Sequence, residues 1–204
     1  MADVKIRLAL SSQEDAAFIL AAFDSALPFL ASIGSEAQWG SVPFSAKPDV
    51  VVSMTKDVQR SGDVSAQHQG GRLPLPAGWT RIFISLSASG TRTGALCLIA
   101  EPPSYVASLL PEGHQSLFMK FLITDRRTGV EAQGAGAALI ARAMQEARDC
   151  GADSLYSDCW EGNGGRLVRF YEQQGFTAGA AFRVDGKHGP GLPWQGRVLC
   201  KQVR

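Results

Sequence analysis

With 204 residues, 45% hydrophobic and 19% charged, the chain has the composition of one globular domain with a sizeable core, which excludes a disordered or fibrous protein. Its 20 basic and 19 acidic residues leave a net charge of +1, so no charge surplus points to nucleic acid or an anionic membrane, and neither is expected as a partner. The four cysteines form no CxxC pair and the three histidines stand far apart in sequence, so no metal site is expected.

Asp3, Glu14, Asp15 and Asp24 interrupt the stretch where a secretory signal would need apolar residues, and the cysteines lack the density of a disulfide framework. The chain therefore reads as a reduced cytoplasmic protein. No apolar run reads as long enough to span a membrane.

Residues 4–8 alternate apolar and charged side chains, the pattern of a half-buried first strand. Ser11 and Glu14 form a capping-box pattern ahead of a helix carrying Ala16, Phe18, Ile19, Leu20, Ala22 and Phe23, with Pro28 predicted to break it. Residues 32–48, with Gly34, Gly40, Pro43 and Pro48 around Trp39 and Phe44, predict a structured loop, and residues 49–60 a second helix. Residues 61–78 carry Gly70, Gly71, Pro74, Pro76 and Gly78 and read as a mobile surface insertion within one domain spanning residues 1–204.

Residues 81–86 and 94–100 predict a strand hairpin that ends at Pro102 and Pro103. A strand over 117–123 leads into a helix over 136–150, closed by Gly151, and then a strand over 154–159. A helix over about 166–174, closed by Gly175, precedes strands near Phe182 and over 197–203. Hairpins outnumber crossovers, so a mixed sheet with helices packed on it is expected.

The segment FLITDRRTGVEAQGAGAAL at residues 121–139 runs from an apolar strand through a charged loop into a turn that opens an amphipathic helix. Amides at a helix N-terminus lack intrahelical acceptors and lie at the positive end of the helix dipole, so they favour a phosphate. Gly134 and Gly136 lack Cβ atoms and let an anion approach the main chain. Downstream stand Asn163 and then FYEQQGF at residues 170–176.

These residues resemble the GNAT superfamily of acetyl-CoA-dependent N-acyltransferases. Its phosphate motif is Arg or Gln, two residues, Gly, one residue, then Gly or Ala; Gly134, Ala135 and Gly136 match the glycine positions, while Glu131 stands where Arg or Gln is usual. An acid there donates nothing to phosphate, which turns attention to Gln133, Arg126 and Arg127 as compensating donors. The family also carries an Asn and then Tyr-Glu-x-x-Gly-Phe, matched by Asn163, Tyr171, Glu172, Gly175 and Phe176, with the interval from Asn163 to Tyr171 about one residue longer than the commonest pattern. The likeness covers residues 117–182.

The resemblance implies an α/β fold of the α+β type: a central mixed, mostly antiparallel sheet of about six or seven strands with helices on both faces. It implies acetyl-CoA as co-substrate and direct attack on its thioester by a primary amine of a small-molecule acceptor. A bulge in the 117–123 strand would leave the main chain of Leu122, Ile123 and Thr124 to bind pantetheine and polarise the carbonyl. Gln133, Gly134, Ala135, Gly136 and Ala137 would hold the pyrophosphate, with Asn163 and Tyr171 also against the cofactor. Tyr171 is the candidate general acid, because a phenol is protonated at neutral pH.

The general base is open. Asp158 is the first candidate, followed by Glu161 and His114, and a water chain is the alternative. Cys159 invites covalent catalysis but has no histidine near it in sequence. Trp39, Phe44, Trp79 and Trp160 are candidates either for an acceptor pocket or for the core, and residues 183–196 are a loop to close over the acceptor or to meet a second subunit in a homodimer. Two other functions fit part of the pattern: a CoA-binding module without catalysis, and a dinucleotide-dependent oxidoreductase. The latter expects a third Gly or Ala where Leu139 stands.

Overall fold

The computed structural model describes residues 4–67, 75–113, 115–187 and 193–203. In chain order these form β1 (Lys5–Leu8), α1 (Gln13–Ser32), α2 (Pro48–Gln67), β2 (Thr80–Leu86), β3 (Arg92–Ile99), the short α3 (Ser104–Ala107), β4 (Ser116–Thr124), α4 (Ala135–Asp149), β5 (Ser154–Trp160), α5 (Gly162–Gln173), β6 (Thr177–Val184) and β7 (Trp194–Gln202). The strands make one seven-stranded sheet in the order β1-β2-β3-β4-β5-β7-β6. β4 and β5 run parallel and every other neighbouring pair is antiparallel, which matches the mixed, mostly antiparallel sheet expected.

Period-2 alternation assigns the two faces of the sheet. On β3, Leu96 and Leu98 join Leu117, Met119, Leu139, Ile140, Leu155 and Leu199 in a core with α4. Ala95 and Cys97 turn the other way, joining Ile19, Phe23, Met54, Val58, Ile82, Ile84 and Ile123 under α1 and α2. Helices therefore cover both faces, and central strands buried on both sides read as nearly continuous apolar runs such as GALCLI.

Three local expectations are corrected. Pro28 does not break α1, which runs through to Ser32. Pro28 lies on the exposed side, while Leu27 and Leu30 beside it are buried and hold the helix through packing. The capping box does not form: Ser12 is the N-cap without a side-chain bond, Ser11 Oγ lies 3.5 Å from the Gln59 carbonyl, and Glu14 pairs with Arg92. Asp15 orders this end of α1 instead, accepting from the Arg7 fork at 2.7 Å and from the Leu10 amide at 2.8 Å. Finally, α1 is 20 residues long with a mean hydropathy of 1.4 in its most apolar window, so by length and composition it does pass as a span, contrary to the sequence expectation. Its apolar side is packed on β3 and β4 as a core helix.

α2 begins at Pro48, whose fixed φ and missing N–H suit a first helical position. It continues to Gln67, past the point at Ser61 where an insertion was expected. Gly70, Gly71 and Pro74 fall outside the described residues. Gly62 lets α2 cross the β1–α1 turn, since a Cβ there would sit 1.6 Å from Ser11 Oγ.

Candidate active site

β4 carries the irregularity on which the site is built. Cys97 pairs with Phe121 and Leu98 with Met119, so Lys120 stands unopposed as a bulge. Pairing with β5 ends at Met119 and Ser157, although β4 continues to Thr124 and β5 to Trp160. Leu122, Ile123 and Thr124 keep β3 partners on one edge and, among the described residues, meet no strand on the other. Backbone polar groups on that open edge are left without strand partners. Gly94 holds the other side tight: a Cβ there would lie 2.6 Å from the Ile123 carbonyl oxygen.

The chain leaves β4 through a 3-10 segment, Arg126–Ala132, and enters α4 at Gly134, whose φ of 84° is the left-handed conformation glycine tolerates. α4 starts one residue earlier than the sequence suggested. The first intrahelical acceptor, the Gly134 carbonyl, receives the Ala138 amide, so the amides of Ala135, Gly136 and Ala137 are the orphan donors of the helix. A Cβ on Gly136 would meet Phe170 at 3.7 Å and Thr124 at 3.8 Å, ordinary van der Waals contact at the helix start. The same contacts bring the end of β4, the start of α4 and α5 together.

The charged residues of this loop are committed elsewhere. Glu131 accepts from Ser87 Oγ at 2.8 Å and Ser89 Oγ at 2.9 Å, and these hydroxyls, with Thr91, hold its carboxyl below the usual range. Glu131 therefore ties the loop to the β2–β3 turn. Arg127 forks onto Asp125, and the Arg126 guanidinium stacks 3.7 Å from the Phe29 ring centre. The Gln133 side chain is exposed and makes no hydrogen bond among the described residues, which leaves it as the uncommitted donor of the three.

Tyr171 is buried on α5 between Phe170 and Phe176, with ring centres at 5.2 Å and 5.5 Å. Its hydroxyl has no hydrogen-bond partner among the described residues. Burial pushes the phenol above the ordinary tyrosine value, and Cys159 and then Asp158 push the same way, so it keeps its proton at neutral pH and lies within electrostatic reach of both. Burial likewise raises the Cys159 thiol to about 12, which makes it a poor nucleophile.

Asp158 follows the last β4–β5 pair and so stands at the mouth of the splay. It is not solvated: burial raises its carboxyl above the usual range, partly opposed by Lys187 and Tyr105. Lys187 Nζ lies 3.3 Å from Oδ2, and Tyr105 Oη donates to Oδ1 at 3.3 Å. Glu161 is paired with Arg197, and His114 lies outside the described residues. Asn163 adopts φ 52°, ψ 48°, and its Nδ2 donates to the Ile33 carbonyl and to Ser35 Oγ, both at 2.7 Å. Its amide nitrogen thus ties α5 to the loop after α1, and only Oδ1 is left for a ligand.

On the α1–α2 side of the bulge lies a cavity of about 290 Å³ lined by Phe23, Phe44, Val50, Met54, Asp57 and Lys120, among others. Of the four aromatic candidates, Phe44 lines it and Trp39 packs edge-on against Phe44 at 5.7 Å. Trp79 belongs to the α4 core, and Trp160 is buried. Sequence reasoning missed Lys120 and its ion-pair partner Asp57, although a lysine inside LFMKFLIT breaks the apolar alternation and marks the bulge.

No family model matches the chain, and no curated protein matches it in sequence. Solved structures do. An N-acetyltransferase from Staphylococcus aureus Mu50 superposes with a TM-score of 0.62 at 15% identity over 100% of both chains. A ribosomal-protein-alanine N-acetyltransferase from Brucella melitensis gives 0.60 at 17% over 97% of this chain and 99% of that one. A Salmonella typhimurium protein assigned as an acetyltransferase, solved with its cofactor acetyl-CoA, gives 0.58 at 16% over 100% and 95%. The chain has the GNAT fold.

Proposed function

We propose, on the premise of that fold, that the chain is an acetyl-CoA-dependent N-acetyltransferase acting on a primary amine of a small molecule. The observation that carries this reading is the junction of an open β4 edge at Leu122, Ile123 and Thr124 with the orphan amides of Ala135, Gly136 and Ala137. One edge offers main-chain partners to the pantetheine amides, and the other is a cradle for its phosphates. Acetyl-CoA supplies the activated acetyl group as a thioester.

The chain's own residues supply the rest. Main-chain amides of the open β4 edge are the donors for a developing oxyanion. Tyr171 holds a proton at its phenol oxygen for the departing sulfur. Asp158, made more basic by burial, is the group at the splay able to take a proton from an incoming ammonium. The solved Salmonella typhimurium structure with acetyl-CoA supports the choice of donor.

A thermal-shift comparison of acetyl-CoA with NADPH tests the donor first, because a ligand that binds only the folded state raises the melting temperature. Stabilisation by acetyl-CoA alone is expected; stabilisation by NADPH alone would sink the proposal. Thiol release across a panel of primary amines then tests catalysis. The Lys187 ammonium on Asp158 favours one second reading, a CoA-binding module without turnover, and acetyl-CoA binding with no release on any amine would select it.

A further inference from the structure

Lys187 is an unusual lysine. It follows Gly186 at the end of the β6 turn, where a flexible ammonium ordinarily lies in water, yet its side chain is 20% exposed and the Asp158 carboxylate it meets is 8% exposed. Nζ lies 3.5 Å from the centre of the Trp194 ring and 4.4 Å from that of Tyr105. It also donates to Tyr105 Oη at 3.2 Å and to Asp158 Oδ2 at 3.3 Å. Two aromatic faces, a carboxylate and a phenol oxygen are the composition by which proteins hold alkylammonium ligands.

The walls of this box are fixed independently of the lysine. Trp194 donates its indole N–H to the Gln38 carbonyl at 3.0 Å, and Phe182 braces both rings, at 5.8 Å from Tyr105 and 5.9 Å from Trp194. The floor, Asp158, is the first β5 residue beyond the last pair with β4, and its charge reaches the Tyr171 phenol. Asp158 therefore sets the box beside the β4–β5 splay, where the acyl-transfer reading above puts the acceptor amine.

We propose that Tyr105, Trp194 and Asp158 form an alkylammonium-binding subsite, that Lys187 is its resident occupant, and that the acceptor is a primary amine on an unbranched alkyl chain that displaces the Lys187 side chain. Naming the acceptor rests on the acyl-transfer reading above; the box as an ammonium site does not. Burial lowers the Lys187 pKa against the opposing pull of Asp158, so enclosure of this ammonium is costly and its displacement is eased.

The test uses n-butylammonium chloride, the analogue of the lysine side chain, titrated by calorimetry and by the Trp194 indole N–H resonance into the full chain and its variants. Lys187→Ala should bind it about tenfold or more tighter than the wild-type chain, which a desolvated cation–π contact with a carboxylate can supply. Adding Asp158→Asn should abolish that gain, and n-butanol, of equal length without charge, should not bind. Lys187→Ser opens the same space if Lys187→Ala does not fold. Equal affinity in wild type and the opened variant, or a gain indifferent to Asp158→Asn, would overturn the proposal. Acetyl-CoA binding measured in the same samples separates the two inferences: n-butylammonium binding without acetyl-CoA binding keeps the subsite and removes the acyl-transfer reading.

Discussion

The two sides of the β4–β5 splay are built from different material. On the α4 side the site is main chain: the open β4 edge at Leu122, Ile123 and Thr124 and the amides of Ala135, Gly136 and Ala137. On the other side it is side chain: the Asp57–Lys120 pair over a cavity, and the Asp158–Lys187 pair between Tyr105 and Trp194. Main-chain sites need small residues at fixed spacing and so recur between proteins. Side-chain sites can be assembled from any elements that converge, which lets the second substrate change while the fold and the first substrate stay.

The largest effect should come from Tyr171, which packs in the α4 core and lies within electrostatic reach of Asp158. Tyr171→Phe keeps the ring between Phe170 and Phe176 and removes only the hydroxyl. Turnover should fall by about 10²–10⁴-fold, the range for loss of a general acid, with acetyl-CoA affinity unchanged by calorimetry. Turnover equal to that of the wild type at both neutral and alkaline pH would strike Tyr171 from the acid role.

Gly136→Glu attacks the main-chain side alone. A side chain in the space between Phe170 and Thr124 places bulk and a negative charge where phosphate is expected. Acetyl-CoA affinity should fall by about a hundredfold, ~2.7 kcal/mol. Affinity within about threefold of wild type would place the cradle elsewhere. The melting temperature of the free protein, which should barely move, shows whether the fold was spared.

Asp15→Asn asks whether the half of the chain without motifs is held by side chains. Asp15 is 1% exposed and joins the Arg7 fork, the Leu10 amide and Arg92. Removing the charge should cost about 2 kcal/mol in urea unfolding, since it leaves Arg7 without its buried partner. Burial works to raise the Asp15 pKa, but Arg7, Leu10 and Arg92 outweigh it and hold it low. Its contribution is therefore present above the unfolded-state value near ~3.9 and disappears as pH falls through the lower folded-state value. The gap between wild type and variant should close as pH drops below about 4; a gap that persists in acid would assign the cost to packing rather than charge.

The same division explains what could be read from sequence. The glycine turn, the closing Gly175-Phe176 and the period-2 strands are local patterns, and the structure places them as expected. The box around Lys187 was illegible because its four members come from α3, β5, the β6 turn and β7, up to 89 residues apart between Tyr105 and Trp194. The tie made by Asn163 was illegible for a related reason: its Nδ2 partners, Ile33 and Ser35, lie in a loop about 130 residues upstream. Pro28 shows the limit of local rules, since burial of Leu27 and Leu30 holds a helix that its propensity would end.

Glu131 supplies the smallest and most discriminating effect. A carboxylate aimed at the cradle would repel phosphate, and its neutralisation would tighten acetyl-CoA binding by about tenfold. The Ser87 and Ser89 hydroxyls hold it on the β2–β3 turn instead. Its side chain is solvated, so salt screens what field it sends to the helix start. Glu131→Gln should therefore change affinity by less than about twofold at ~0.15 M salt, because an amide oxygen still accepts from both hydroxyls. A tenfold gain on neutralisation would mean the carboxylate faces the ligand, and the main-chain side of the splay would then have a side-chain control of its own.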